Sequence, residues 1–268
     1  MKEGYKMIID AHAHIFPDKI AEKAVAGIGS FYSQLTMMHT TGSAENLVKT
    51  GEAAGVSKFL VQSVATVPAQ VESINNFISD SVKKFSGKFI GFAAMHPDYE
   101  NVEQEIDRAI SLGLKGVKLH PDFQKFAIDD KRAMKIYEVM EGRLPLLIHM
   151  GDHRYNWSKP EMLAKVLERF PKLDVIGAHF GGWSEWDRAE EILGGKRLWV
   201  DTSSSLYAMT PERARELIDA FGVENVLFGT DYPMWTAEYE LKLFDKIPLN
   251  EKEREMILHE NAERLLGL

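Results

Sequence analysis

Ile8-Ile9-Asp10-Ala11-His12-Ala13-His14 is the stretch on which the reading of this chain turns. An apolar run ends in two histidines placed two apart. On a strand, residues i and i+2 point to the same side, so His12 and His14 leave the strand tip together. The run is short and apolar, the pattern of a strand buried on both faces of a parallel sheet. Similar runs recur at 57–64, 89–96, 116–120, 144–149, 174–179, 198–202 and 226–231. Between them lie stretches with one apolar stripe at helical spacing, such as Val71, Ile74, Phe77, Ile78 and Val82 in 69–84, or Val102, Ile106, Ala109 and Ile110 in 101–112. Helices also fit 44–54 behind Ser43 as N-cap, and 131–141, 160–170, 184–193, 211–221, 238–245 and 250–266. Pro160 and Pro211 suit a first helical turn, where a missing N–H costs nothing.

Eight strands alternating with helices predict an α/β fold, a (β/α)8 TIM barrel, as a single domain over residues 1–268. Such a barrel takes roughly 250 residues. A doubly wound open sheet is the competitor, but it gathers functional groups at one crevice and not at most strand tips. The one irregular stretch is 15–42. It is expected to hold a short helix at 18–26 and then a lid loop over the site, since 28–42 mixes polar, small and aromatic residues.

Composition narrows the function. The 268 residues carry a formal net charge of −8, with 45% hydrophobic and 27% charged residues. That balance argues against broad binding to nucleic acid or to an anionic membrane, and leaves a small-molecule substrate as the expected partner, with a homodimer as the default assembly. No cysteine is present, so thiolate ligands, disulfides and a Cys nucleophile are excluded and any metal must be held by His and carboxylates. The first ten residues do not read as a signal peptide and no segment reaches bilayer-spanning length, so a cytoplasmic enzyme is expected.

The chemistry gathers by position. His12 and His14 end the first predicted strand, His96 the third, His120 the fourth, His149 the fifth, His179 the sixth and Asp231 the eighth. In a barrel those C-terminal tips form the active-site face. Two imidazoles on one side of a strand can share a divalent cation at about 2.0–2.1 Å, and His149 with Asp231 would complete a set that leaves a position open for water or substrate. The plainer alternative is a ring of histidines hydrogen-bonded to each other; H-x-H together with a His and an Asp at two later tips favours the metal.

These motifs resemble a known family. The opening Ile8–His14 run is followed by Gly116-Val117-Lys118-Leu119-His120-Pro121, Leu147-Ile148-His149, Gly177-Ala178-His179-Phe180-Gly181-Gly182 and Phe228-Gly229-Thr230-Asp231-Tyr232-Pro233. In this order they are similar to the amidohydrolase superfamily, in the branch that holds small metal-dependent hydrolases and decarboxylases of aromatic or unsaturated carboxylates. The resemblance implies metal ligands at His12, His14 and His149. It implies that Asp231 is a ligand, a general base for metal-bound water, or both, and that His179 polarises the substrate or stabilises a developing anion. Some members carry a modified lysine or a Glu on the fourth strand; here Lys118 is read as an inward structural lysine, and so a single metal is expected. Zinc is the default for such ligands, with manganese or another first-row metal possible.

Further candidates are weaker. His120 would contact substrate or act as general acid. Arg154 would bind a substrate carboxylate, and Trp157, with Trp183, Trp186 and Trp235, would wall a planar pocket. Asp10, two before His12, shares its face one layer deeper, where it either orients an imidazole or is a buried polar residue of the barrel floor. His96 is read as structural, and His39 and His259 as exposed. Asp201 is followed by Thr202, Ser203, Ser204 and Ser205, hydroxyls that line the site or cap a helix. The reading that follows is a metal-dependent hydrolase of a lactone, ester or amide bond. Its alternative is a decarboxylase or hydratase on the same scaffold. A non-catalytic ligand-binding barrel is more remote, as is an H-x-H phosphoesterase, which would want more ligands.

Overall fold

A computed structural model describes residues 5–33 and 40–268; His39 and the middle of the expected lid loop lie outside them. The strands are β1 (Ile9–His14), β2 (Lys58–Gln62), β3 (Phe89–Gly91), β4 (Ala93–Ala94), β5 (Val117–Leu119), β6 (Leu146–Ile148), β7 (Val175–Gly177), β8 (Trp199–Asp201) and β9 (Val226–Leu227). The helices are α1 (Asp18–Phe31), α2 (Ala44–Ala53), α3 (Val71–Lys84), α4 (Val102–Ser111), α5 (Pro121–Gln124), α6 (Lys131–Met140), α7 (Pro160–Arg169), α8 (Trp186–Leu193), α9 (Pro211–Phe221), α10 (Ala237–Phe244), α11 (Glu251–Glu255) and α12 (Asn261–Leu266), with a π-helical turn at Met256–Glu260 between the last two. None of the described helices is long and apolar enough to cross a membrane.

Every pairing between named strands is parallel. The predicted third strand divides at Phe92 into β3, which pairs with β2, and β4, which pairs with β5. The seam is still bonded, because Phe92 N donates to Val61 O at 2.9 Å and Ala93 N to Gly116 O at 2.8 Å. At the other seam Ala11 N donates to Phe228 O, Asp231 N to His12 O and His14 N to Tyr232 O, at 2.8, 2.8 and 2.6 Å. The first strand thus meets the last, and the chain is the (β/α)8 TIM barrel expected.

Strand alternation divides the core into two layers. Leu60, Ile90, Phe92, Leu147, Ile176 and Leu227 fill the barrel floor, plugged from below by Ala262 and Leu265 of α12. Val61, Val117, Leu119, Ile148, Val175 and Val200 face outward, onto helix residues such as Ile78, Ile106, Ile136, Leu163 and Leu217. β1 breaks this parity. Ile9 and Ala11 belong to the floor and Ile8, Ala13 and Ile15 to the outer layer, and the register with β2 shifts between Asp10 and Ala13. This bulge turns His12 and His14 into the lumen and takes Asp10 off their face. The Asp10 carboxylate accepts from His12 N (3.1 Å), Thr230 N (3.0 Å) and Thr230 Oγ1 (2.6 Å). It therefore ties two backbones together and does not orient an imidazole.

Helix starts follow the anticipated chemistry. Ser43 accepts from Asn46 N at 3.3 Å, Thr210 from Arg213 N at 3.2 Å, and Pro160 and Pro211 occupy first turns. α1 runs five residues beyond the expected end at 26, because Ile28 and Phe31 prolong an apolar stripe that the two intervening glycines do not break. His259 is buried, not exposed: the π turn faces it inward, with Nδ1 2.8 Å from Glu263 Oε2.

One buried acid lacks support. Glu240 on α10 is fully buried and neither carboxylate oxygen has a hydrogen-bond partner. Burial, then the charges of Asp10, Asp231 and Asp201, push it well above its ordinary 4.5. Above that ordinary value the folded chain keeps a proton that the unfolded chain has released, so stability falls as pH rises. Glu240→Gln removes this burden. The variant should melt above the parent at about pH 8, by roughly 3 °C or more, with the gap closing toward about pH 4. Thermal scans across that range check it.

Candidate active site

The barrel brings the predicted residues to one mouth. His12 and His14 arrive on β1, His120 just after β5, His149 after β6, His179 after β7 and Asp231 after β9, with Lys118 inward on β5 and Asp201 at the tip of β8. All the histidines among them are buried. Burial pushes His12, His14, His120 and His149 well below 6.5, with the Lys118 charge adding to the effect, and His179 down to about 4. These imidazoles are neutral at pH 7 and offer lone pairs.

Three ligand atoms converge. His12 Nε2 and His14 Nε2 are 3.2 Å apart, and Asp231 Oδ1 lies 3.4 and 3.5 Å from them. Two bonds of about 2.0–2.1 Å enclose a 3.2 Å separation at roughly 100°, near tetrahedral, so the donor set fits a divalent cation. His12 is oriented for it from behind. Its Nδ1 lies 2.9 Å from Asp201 Oδ2 and donates there, which leaves the Nε2 lone pair facing the lumen. Asp231 is steadied by Ser204 Oγ, which donates to Oδ2 at 2.6 Å and accepts from Trp235 Nε1 at 2.9 Å. Burial pushes the Asp231 carboxyl up to about 7, against the Ser204 hydrogen bond and the Lys118 ammonium. Burial in turn brings Lys118 down to about 8, opposed by Asp231 and Asp201; its Nζ reaches His12 Nε2 at 3.2 Å.

His149 stands one step aside. Its Nδ1 is 3.0 Å from His179 Nε2, and its Nε2 is 3.5 Å from Asp122 Oδ2 without a hydrogen bond. His179 Nδ1 donates to Ser203 O at 3.0 Å, which turns the Nε2 lone pair toward His149. His120 stacks on His149 at 3.9 Å and on Phe123 at 3.8 Å, and Tyr32 Oη reaches its Nε2 at 3.3 Å. His149, His120 and Asp122 cluster closely enough for a cation. Rings stacked at 3.9 Å and 8° cannot both aim in-plane lone pairs at one ion, however, which argues against a second centre there.

A cavity of about 700 Å³ opens over these groups, lined at its base by His12, His14, Lys118, His149, His179 and Asp231 and above by Phe31, Tyr32 and Phe123. Arg154 and Trp157 are not brought into it. The Arg154 guanidinium is held by both Asp152 oxygens at 2.8 and 2.7 Å, donates to Phe31 O at 2.7 Å, and stacks against Phe31 and Tyr32. It pins the end of α1 over the site. Trp157 is 37% exposed. Trp183 and Trp235 pack with Tyr207 behind Asp231, and Trp186 Nε1 donates to His179 O at 3.1 Å. His96 Nδ1 accepts from Asp98 N, a loop bond.

Sequence reasoning missed two carboxylates. Asp201 was visible at a strand tip, but nothing paired it with His12; Asp122 sits on the short α5 directly after His120-Pro121 and shares the two-residue rhythm of Lys118 and His120. Backbone strain marks the same mouth. His179, Phe180, Ser204 and Asp231 have φ of 61, 51, 47 and 60°, the left-handed region that costs non-glycine residues about 1 kcal/mol or more each.

The chain is 21% identical to the 2-amino-3-carboxymuconate-6-semialdehyde decarboxylase of Caenorhabditis elegans, over 97% of this chain and 94% of that one. It is 23% identical to the gamma-resorcylate decarboxylase of a Polaromonas species, over 72% and 75%. Among solved structures, 5-carboxyvanillate decarboxylase of Novosphingobium aromaticivorans, complexed with manganese and 4-hydroxy-3-methoxy-5-nitrobenzoic acid, shares the fold with a TM-score of 0.78 at 16% identity, over 98% and 96%. The profile of the Amidohydrolase family matches residues 9–268, and the chain belongs to that family.

Proposed function

We propose that this protein is a metal-dependent decarboxylase acting on a small aromatic or unsaturated carboxylate. The observation that carries the reading is the pairing of floor and walls. The floor presents cation ligands and the buried Lys118 ammonium, while Phe31, Tyr32 and Phe123 present aromatic surface directly above. This is the complement of a planar acid. The decarboxylases among its relatives support it, and it displaces the hydrolase that the sequence placed first.

His12, His14 and Asp231 would hold the cation, with His149 as the adjoining ligand. When bound, a divalent cation supplies a Lewis acid that offsets negative charge on the substrate's oxygens. The chain's own residues do the rest. Lys118 meets the carboxylate at the base of the cavity. His120, paired with Tyr32, hydrogen-bonds a neighbouring substrate oxygen. As the C–C bond breaks, carbon dioxide leaves and the electron pair stays on carbon, where a proton must arrive. His179 would deliver it: Nδ1 is committed to Ser203 O, so Nε2, which meets His149 Nδ1 at 3.0 Å, would take a proton from water and pass it to the carbon. Asp201 holds His12 in the tautomer that leaves Nε2 as the ligand atom.

Elemental analysis should find about one divalent ion per chain, lost from the His12→Ala, His14→Ala double variant; two per chain would bring Lys118 back as a bridging ligand. Asp201→Asn should weaken metal binding about 10- to 100-fold, read by competition with a chromogenic chelator. Unchanged affinity would remove Asp201 from the orienting role. Aromatic carboxylates assayed beside lactones, esters and amides should alone turn over, releasing carbon dioxide and taking deuterium from heavy water at the vacated carbon. His179→Asn should retain metal yet lose about 10²- to 10⁴-fold in kcat. Turnover confined to lactones or esters would restore the hydrolase.

A further inference from the structure

The cavity is larger than a single-ring acid requires, since a volume near 700 Å³ is in the range that houses drug-sized ligands. The surplus lies away from the barrel tips. α1 carries two apolar stripes. Ala21 and Val25 are buried, with Val25 packed on Met234 and Trp235. The second stripe, Ile20, Ala24, Gly27, Ile28 and Phe31, lines the cavity, and Ile20 is left 50% exposed. Twelve residues of helix, from 20 to 31, make a wall about 16 Å long. From α3, Ile74 and Phe77 line the same cavity.

The polar lining residues of the α3 end are already occupied. Gln70 Oε1 accepts from Thr66 N at 2.8 Å and from Thr66 Oγ1 at 3.0 Å, and Ser73 Oγ donates to Gln70 O at 3.0 Å. The Gln70 and Ser73 oxygens would stay hydrogen-bonded beneath an apolar occupant. No charged side chain of α1 or α3 lines the cavity; its charged groups come from the barrel tips and from Asp122 and Lys125 after β5.

We propose that the substrate carries an apolar alkyl or aryl tail that lies along α1 and α3 while its carboxylate head sits at the barrel tips. The head rests on the function proposed above; the tail rests on the channel alone. Gly27 offers a direct probe, because a Cβ built there meets nothing within 4 Å and the residue sits in a helix without positive φ. A larger side chain at this position enters the channel and not the core.

The test is calorimetric binding of benzoate and its para-alkyl homologues, methyl to heptyl, to the metal-loaded protein. Affinity should rise about three- to fourfold per methylene until the channel ends. In Gly27→Phe the heptyl-to-methyl affinity ratio should fall at least about tenfold, and Gly27→Ala should keep most of it. Affinity independent of tail length in the parent protein would overturn the proposal whether or not Gly27→Phe folds, and so would a Gly27→Phe variant that folds with its tail dependence intact. The two readings fail separately. Tail-dependent binding without carbon dioxide release condemns the reaction and keeps the channel. Release of carbon dioxide from untailed acids, with binding blind to tail length, does the reverse.

Discussion

The bond between the first strand and the last is the constraint on which this site depends. His12 and Asp231 lie far apart in sequence, and they meet because Asp231 N donates to His12 O while the Asp10 carboxylate holds both His12 N and Thr230. Fixing two backbones through one buried acid places the ligand atoms without relying on the side chains' own rotamers. It also explains why Asp10 is tolerated in a fully buried position. Burial pushes its carboxyl up to about 7, and three hydrogen bonds pull the other way. Gly229 belongs to the same seam, since a Cβ there would stand 3.1 Å from His12 Cβ. The approach is close enough that only glycine fits without the neighbours giving way.

That seam sets the electrostatics of the mouth. The neutral imidazoles, Lys118, Asp201 and Asp231 share a volume with little water, so each charge state is decided by its neighbours. The histidines stay neutral because burial disfavours their charged form, with the Lys118 charge adding to the effect, and neutrality leaves each a lone pair to offer. Asp201 is fully buried, and His12 Nδ1, His179 N and Ser203 N all donate to its two oxygens. One carboxylate thereby orients an imidazole on β1 and anchors the backbone from which His179 projects, coupling two rings whose centroids lie 5.2 Å apart.

Much of this was legible in the sequence because the barrel repeats one rule. Each short apolar run ends where chemistry begins, so the tips of eight runs could be listed before any coordinates. What escaped was whatever departs from that rule or acts between distant tips. The bulge in β1 inserts a change of parity that no count of residues reveals, and it makes Asp10 a backbone clamp and not an imidazole partner. Asp122 and Asp201 acquire meaning only once β6 and β1 stand beside them. Arg154 was a candidate for a substrate carboxylate against the plainer reading of a solvated loop charge; here Asp152, buried beside it and already bidentate, holds its guanidinium.

The division of labour in the cavity follows from how barrels are built. Strand tips are rigid, since each is bonded on both sides, and rigidity suits atoms that must stay within tenths of an ångström. The helices that follow β1 and β2 are held by packing and by a few hydrogen bonds away from the cavity faces, such as Arg154 to Phe31 O and Asn75 to the Ala94 backbone, and those faces can change without disturbing the strand tips. On the proposed function, Ile20, Gly27 and Phe77 are therefore positions at which substrate choice can be altered at little cost to the chemistry, whereas His12 or Asp201 cannot move without disturbing the strand seam and the imidazoles it positions. A family whose members share the tips and differ in the surrounding helices is the expected outcome of such an arrangement. It is also why a relative at about a fifth identity can share the fold while leaving this chain's own substrate to be read from its walls.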